Sequence, residues 1–593
     1  MSITSIIQPA VINALQHLYS QSFSTKEFQV NVTKPEFEGD YTVVLFSLLK
    51  PLKLSPDALG KQLGDELLRS NPGLFSGYNV IKGFLNLTIS DPYWKNTLNK
   101  YYADSSFGKK AANGKKIVVE YSSPNTNKPL HLGHLRNNFL GWSIAEILKA
   151  EGYEIIKTCI ANDRGIHICK SMVAWQWYAN GATPESTNTK GDHFVGDYYV
   201  MFGNEMKKEV GELMTKGMTE KEAEEEAPIM KAAKQMLVDW EAGKPDVIEL
   251  WKTMNNWVYA GFDVTYKRIG SDFDKVYYES ETYLLGKQLV QEGLQKDVFI
   301  QKPDNSVWVD LTNDGLDEKI VQRKDGTAVY ITQDIGLAVN KYEQYKYDQS
   351  IYVVGDEQNY HFKVLKLICE KLGLPSSDGI HHLSYGMVEL PSGRMKTREG
   401  TVVDADDIID EMIHVAADKT AELGKVKDFT EEELKKLYDT IGLAALKFFI
   451  LRVDPKKRMV FNPEESIDFH GFTASFVQFS YARAKAILRN EAVDTNYQFT
   501  QDEPLLPLEK ELIILLEQYD AIIMQAASDH NPAVIVNYCY DIAKTFNSFV
   551  TEHRVLKAES EDKKQLRLRI CSMSSNIIAS GMELLGIAVP ERM

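Results

Sequence analysis

The segment 116–160 constrains this chain more than any other. An apolar run, Ile117–Tyr121, leads through a polar loop into the amphipathic stretch Leu135–Lys149, and a second apolar run, Glu154–Ile160, follows. Strand, helix and strand in that order predict a parallel βαβ unit, because parallel strands need a crossover and a helix supplies it. At the junction of the first strand and the helix the chain reads His131-Leu-Gly133-His134. A glycine there lets a ligand come close to the backbone. A helix start offers free N–H groups and the positive end of a dipole. Each imidazole adds a donor that can follow charge developing on a reacting phosphate. Taken alone, the tetrapeptide fits two surface histidines at a helix start equally well. Ligands on open parallel sheets bind beyond the carboxyl ends of strands, which is where this loop lies.

The alternation continues farther along. Strand-like runs fall at Ser306–Asp310, Ala328–Thr332 and Gln349–Val354, followed by a helix at Phe362–Leu372. A long helical insertion at about 185–265 interrupts them; its Lys/Glu-dense part, Glu205–Glu226, reads as a solvated helix surface. Ahead of this body, residues 1–105 read as a small α/β domain. It has a helix at Ile7–Ser20, a helix-like Thr42–Lys50 and two strands within Tyr78–Ile89 around Gly83. Residues 105–115 are small, polar and basic, as a linker would be. From about Leu434 the pattern is all-helical, with stretches at Tyr438–Leu451, Thr473–Asn490, Glu509–Ala527, Pro532–Val550 and Lys564–Leu585. The expected fold class is therefore multidomain α/β. A Rossmann-like parallel-sheet domain over 116–433, carrying the insertion, lies between the N-terminal α/β domain (1–105) and a C-terminal helical bundle (434–593).

Other classes are disfavoured. No stretch is apolar for about 18 residues, so no membrane span is expected. The first residues lack the basic and apolar segments of a secretory signal. The five cysteines (159, 169, 369, 539 and 571) are scattered and form no CxxC pair, so neither a structural metal nor a disulfide framework is expected. A reducing cytoplasm fits that usage. The net charge of −16 argues against indiscriminate nucleic-acid binding but leaves room for a local basic face.

Four clusters carry candidate chemistry. Around the histidines, Glu120 supplies an acceptor at a strand end, Asn125 an amide in a turn, and Lys128 a cation three residues before His131. Alone, Lys128 also fits a solvated lysine. Tyr330 and Asp334 are four apart and share a face as helix or as strand, so they could clamp a cation or a ribose; a half-buried Tyr beside an exposed Asp is the plainer alternative. Tyr352–His361, containing Gln358, is a strand that runs into a polar loop; an Asp or Asn there could equally be only a helix cap. Gly393–Gly400 brackets the basic loop Arg394-Met395-Lys396-Thr397-Arg398, which could close over a triphosphate or be a plain basic hairpin loop.

In this order the segments resemble a class I aminoacyl-tRNA synthetase, and within that class the arginyl enzymes. His131–His134 matches the first class signature, usually HIGH, and residues 394–398 stand where the second, usually KMSKS, belongs. Thr397 replaces its second lysine; arginyl enzymes share that departure, and Lys128 sits where their substitute lysine does. The run 122–137 follows the arginyl pattern throughout. Phe37-Glu-Gly-Asp-Tyr41 and Gly83–Asn86 resemble the family's tRNA-contacting N-terminal domain, and Gln478–Leu488 with the ending Leu584–Met593 resembles its anticodon-binding bundle. Gly165-Ile-His167-Ile168 departs from the family's usual Gly-Asp-Trp-Gly stretch.

The resemblance implies an arginine–tRNA ligase acting on ATP, L-arginine and tRNA(Arg) through an arginyl-adenylate, with Mg²⁺ accompanying ATP and no membrane involved. It implies catalytic roles for His131, His134, Lys128, Lys396 and Arg398, and ATP contacts from His131, Gly133, His134, Met395 and Lys396. Arginine falls to Glu120, Asn125, Tyr330, Asp334 and Gln358. Acceptors set for a five-donor guanidinium reject smaller cations, so no editing domain is needed. tRNA contacts are implied for Phe476, Phe479, Tyr481, Arg483 and Met593. A monomer is expected, and relatives of this kind require bound tRNA to form the adenylate. Two alternatives remain at this stage: a small-molecule nucleotidyltransferase with an HxGH site, and a catalytically inactive tRNA-binding paralogue.

Overall fold

The structure, a computed structural model, describes residues 3–34, 36–389, 403–423, 428–468, 471–499 and 503–593. The chain opens with a helix, Thr4–Tyr19, and its first four strands, β1 (Val30–Val32), β2 (Tyr41–Val44), β3 (Phe75–Ile81) and β4 (Phe84–Ile89), form an antiparallel sheet in the order β1-β2-β4-β3. The hairpin β3–β4 turns at Lys82 and Gly83, both at positive φ, as a two-residue hairpin loop requires. The expected helix at Thr42–Lys50 is corrected. Tyr41-Thr-Val-Val, mostly buried and β-branched, is strand β2, and the helix begins only at Phe46.

The central sheet is wholly parallel. Its strands are β5 (Lys116–Glu120), β6 (Glu154–Ala161), β7 (Lys275–Tyr278) and, beyond a small antiparallel sheet of β8 (Phe299–Gln301), β9 (Val307–Val309) and β10 (Lys319–Gln322), the pair β11 (Gln349–Gly355) and β12 (Ile380–Tyr385). The order is β12-β11-β5-β6-β7, so chain order reverses on either side of β5. A parallel sheet opens a ligand crevice at the carboxyl edge of such a reversal.

Two expected strands differ. The run at 306–310 is strand β9, but it belongs to the antiparallel sheet. Ala328–Thr332 is no strand: a helix, Tyr330–Tyr345, begins inside it. Its β-branched residues suggest extended chain, yet Ile331, Ile335 and Ala338 are buried at helical spacing, and that periodicity decides.

The insertion is five helices, Pro184–Thr187, Gly191–Thr215, Glu220–Glu226, Pro228–Glu241 and Pro245–Ile269, after which the chain returns as β7. Buried Asp163, past the end of β6, ties it down. Its carboxylate accepts from Tyr259 (2.8 Å) and Ser280 (2.7 Å), and its carbonyl accepts from Trp251 (2.6 Å).

The C-terminal bundle holds Ala474–Asn490, Pro507–Glu517, Tyr519–Asp529, Ala533–Glu552 and Glu561–Leu584. The stretch 509–527 is thus two helices broken at Gln518, and Glu431–Leu451 runs across position 434. One continuous apolar core reaches from the N-terminal part through the sheet to the bundle. Polar ties join them too. Buried Arg136 donates to the carbonyls of Pro455 (3.1 Å) and Lys457 (2.8 Å), and Lys510 pairs with Asp40 at 2.8 Å. Among the described residues no helix is long and apolar enough to cross a membrane.

Candidate active site

The backbone leaves β5 through a forced turn. Ser122 is fully buried and has φ +59°, a region that costs a non-glycine residue on the order of 1 kcal/mol. Its neighbours hold it there. Its N–H donates to Asn137 Oδ1 (2.5 Å), and its hydroxyl meets Tyr266 of the insertion at 2.7 Å. Asn137, on the helix Leu132–Ala150, also donates to the carbonyl of Val353 in β11 at 2.7 Å. One amide thus fixes the turn, the helix and the neighbouring strand. The helix lies close on β5: a Cβ on Gly141 would come within 2.3 Å of Tyr121 Cβ.

His131 is the cap of that helix. Its Nδ1 accepts from the N–H of Gly133 at 3.1 Å, and its own N–H donates to His134 Nδ1 at 3.1 Å. The two rings lie 3.9 Å apart. A Cβ on Gly133 would fall 3.0 Å from the His131 ring, so here the glycine makes room for the histidine itself. A backbone N–H can only donate, so each Nδ1 is the unprotonated nitrogen and each neutral ring carries its proton on Nε2. Burial holds His131 far below the usual imidazole range, at about 3, with the Lys128 ammonium adding to it. Burial also depresses His134, helped by His131 and Lys128. Lys128 Nζ lies 3.5 Å from His131 Nε2, and burial lowers its pKa as well. Three donors converge in a half-buried pocket, as an anion site requires.

The insertion backs this group. Its helix Gly191–Thr215 packs so tightly that a Cβ on Gly196 would meet Pro129 Cδ at 2.9 Å. Met395, Lys396 and Arg398 lie outside the described residues. The first residues described after them are held beside the histidines: Val403 O accepts from Leu132 N–H (3.2 Å), and Ala405 N–H donates to Leu130 O (3.0 Å).

The acceptors stand at the same edge of the sheet. Glu120, buried at the end of β5, is engaged at Oε2 by the ammonium of fully buried Lys341. Tyr330 begins its helix and is 72% exposed, as a rim residue would be. One turn on, Asp334 Oδ2 meets His361 Nε2 at 2.6 Å. Tyr352 of β11 feels both acidic residues: burial, then Glu120, with Asp334 adding, pushes its phenol well above the usual range. Gln358 is exposed in the short turn Asp356–Gln358 after β11. Asn125 is exposed in a backbone bridge to Asn162. His167 faces Tyr199 of the insertion, Nδ1 to hydroxyl 3.0 Å.

Sequence reasoning missed Lys341, His361, Asn137 and Tyr266. It also missed Glu279 beyond β7, whose carboxyl burial pushes up to about 7, with Arg164 opposing and Asp163 and Asp334 adding to it.

In the bundle, Phe476, Phe479 and Arg483 share one face of the helix Ala474–Asn490, at i, i+3 and i+7. Phe476 packs on Tyr540 (5.3 Å between centroids), and Arg483 donates to Asn547 (3.1 Å). Tyr481 lies about 140° round the helix and is buried. On that face Lys485 pairs with Glu591, two residues before the partly buried Met593, at 3.3 Å.

A parallel sheet that reverses at β5, with an HLGH cap at its carboxyl edge and a helical bundle behind it, is the build of a class I aminoacyl-tRNA synthetase. Comparison with known proteins agrees and is more specific. The family of class I (R) tRNA synthetase catalytic domains matches residues 97–462, the arginyl tRNA synthetase N-terminal domain 5–89, and the DALR anticodon-binding domain 477–593. The arginine–tRNA ligase of Flavobacterium psychrophilum is 52% identical, and that of Bacteroides thetaiotaomicron 50%, each over the full length of both chains. The fold matches that of Thermus thermophilus arginyl-tRNA synthetase at TM-score 0.79, covering 99% of this chain and all of that one at 22% identity. The chain belongs to the arginyl-tRNA synthetase family.

Proposed function

We propose that this chain joins L-arginine to tRNA(Arg) at the carboxyl edge of β5, in two steps. In the first, the carboxylate of arginine attacks the α-phosphate of ATP, the bond to pyrophosphate breaks, and arginyl-adenylate forms. In the second, the 2′-hydroxyl of the terminal adenosine attacks the activated carbonyl and AMP leaves. The protein supplies no nucleophile; it positions the reactants and stabilises charge. His131 and His134 donate from Nε2 to phosphate oxygens, and the donation strengthens as charge moves onto them. Lys128 neutralises the leaving pyrophosphate, with Lys396 and Arg398 as further cations. Asp334, Glu120, Tyr330 and Gln358 receive the guanidinium, and Asn125 the main-chain end of the substrate.

Mg²⁺ would accompany ATP and supply positive charge at its phosphates. Among the described residues, Asp192, His193 and Asp406 are the one group of three whose donor atoms lie close enough for a metal. It does not suit one. Lys190 Nζ already fills it, 2.9 Å from Asp192 and 2.7 Å from Asp406, so the ion comes with the nucleotide. The bundle would bind the anticodon through Phe476, Phe479, Tyr481, Arg483 and Met593. A monomer is expected, and the scattered cysteines suit a reducing cytoplasm.

The reciprocal cap of His131 and His134 carries this reading, because it leaves two neutral Nε2–H donors side by side. Pyrophosphate exchange into ATP with purified protein tests it: exchange with arginine is expected when tRNA(Arg) is present and lost without it. Exchange driven by another amino acid, or none in either condition, overturns it.

A further inference from the structure

We propose that Lys341 is a positioning residue for arginine selection: it holds the Glu120 carboxylate in its charged form and aims its free oxygen at the substrate's guanidinium. This rests on the reading above that Glu120 receives arginine. Glu120 sits at the end of the central strand, only 6% exposed, where an unpaired carboxylate would be costly. Lys341 Nζ engages Oε2, while Oε1 makes no hydrogen bond among the described residues. A lysine is a point donor, so it can satisfy one oxygen and leave the other. The ammonium is itself fixed, 4.6 Å from the ring of Tyr352 and 5.6 Å from that of Tyr277, aromatic faces that favour a cation.

The placement is also economical in sequence. Tyr330, Asp334 and Lys341 follow one another at i, i+4 and i+11 along one helix, so they lie on one face. That helix therefore carries the exposed rim, the middle acceptor and the cation beneath Glu120. The groups facing Glu120 are Lys341 from this helix, Tyr352 from β11, Tyr277 from β7 and Cys159 from β6. Lys341 is the one cation among them. Without it, the carboxylate is left buried with no cation beside it, which is costly.

The test compares Lys341→Met, Glu120→Gln and the double variant by steady-state pyrophosphate exchange with tRNA(Arg) present. Glu120→Gln should raise the arginine KM about tenfold or more with the ATP KM unchanged. Lys341→Met should raise the arginine KM similarly with the ATP KM unchanged, because the Glu120 carboxylate then loses the partner that holds it. In the double variant Lys341→Met should add nothing further, since the lysine acts only through the glutamate.

If Glu120→Gln leaves the arginine KM unchanged, the reading of Glu120 falls and the proposal with it. If Glu120→Gln raises that KM while Lys341→Met leaves it unchanged, lowers it, or raises the ATP KM equally, the role of Lys341 alone is overturned. Should Lys341→Met fail to fold, the double variant, which buries a neutral pair, carries the test. Any further rise there over Glu120→Gln sinks the proposal.

Discussion

The two ends of the site solve opposite electrostatic problems. At the phosphate end the protein gathers donors. His131 and His134 are neutral, each with Nδ1 occupied by the backbone, and Lys128 Nζ stands 3.5 Å from His131 Nε2. At the amino-acid end it gathers carboxylates and compensates each with its own base: Glu120 with Lys341, Asp334 with His361. The difference follows from the ligands. ATP brings several negative charges, so neutral imidazole donors can wait for it in a half-buried pocket at modest cost. Arginine brings one cation, and the buried Glu120 carboxylate waiting for it without a partner would be costly, whereas Asp334 is partly exposed and its pair with His361 is the weaker one. Neutral donors need no counter-charge; a buried carboxylate needs a partner.

The sharpest way to break this contrast is at the phosphate end. His134→Ala removes one donor and the acceptor that orients His131 N–H. The rate of pyrophosphate exchange should fall about 10²–10³-fold, the size expected for one transition-state donor. Near-wild-type exchange would show that the rings are only a helix cap. At the other end, Asp334→Ala should raise the arginine KM about 10–100-fold with the ATP KM almost unchanged. Equal changes in both would mean that the two ends are not separate. Next in size is His361→Asn, which keeps a hydrogen-bond donor but removes a possible charge. A roughly threefold rise in the arginine KM is expected, because the pair is partly exposed and worth less than the buried one. An effect as large as that of Asp334→Ala would place His361 on the substrate itself.

The two ends also differ in how far the sequence reveals them. The phosphate end is local. His131, Gly133 and His134 lie within four residues, and a helix start forces their geometry, so the motif discloses both place and chemistry. The amino-acid end is assembled across the chain: the partner of Glu120 is 221 residues away. Tyr330 and Asp334 show a shared face under either period. Lys341 shows itself only if 330–345 is read as a helix, since Asp334 and Lys341 then stand seven apart on one face. Read as a strand, as Val329, Ile331 and Thr332 invite, the lysine drops out of the pattern. β7 was illegible for a related reason: it is four residues long with helices on either side, and only pairing with β6 defines it. β12 is longer but carries His381, His382 and Ser384, and pairing with β11 defines it. The reciprocal cap, and the tautomers it dictates, needed coordinates.

The smallest effect lies in stability, and it tests the neutrality of the phosphate end directly. His131 titrates at about 3 in the fold, against about 6.5 in an unfolded chain. Between those values the unfolded state takes up a proton that the folded state refuses. Unfolding is therefore favoured progressively as pH falls from about 6.5 toward 3, and this contribution is absent above that range. His131→Asn keeps an oxygen that can accept from Gly133 N–H and removes the titration. Melting temperature followed from pH 7.5 to 4.5 should fall for both proteins, and more steeply for the native one, so the two curves converge or cross as the solution becomes acid. The histidines' share of the reaction should meanwhile be flat across pH 6–8, because neither ring changes charge there. Parallel melting curves, or a His131-dependent inflection of activity near pH 6.5, would mean that this ring is charged in the fold, and the contrast between neutral donors and compensated acceptors would then rest on His134 alone.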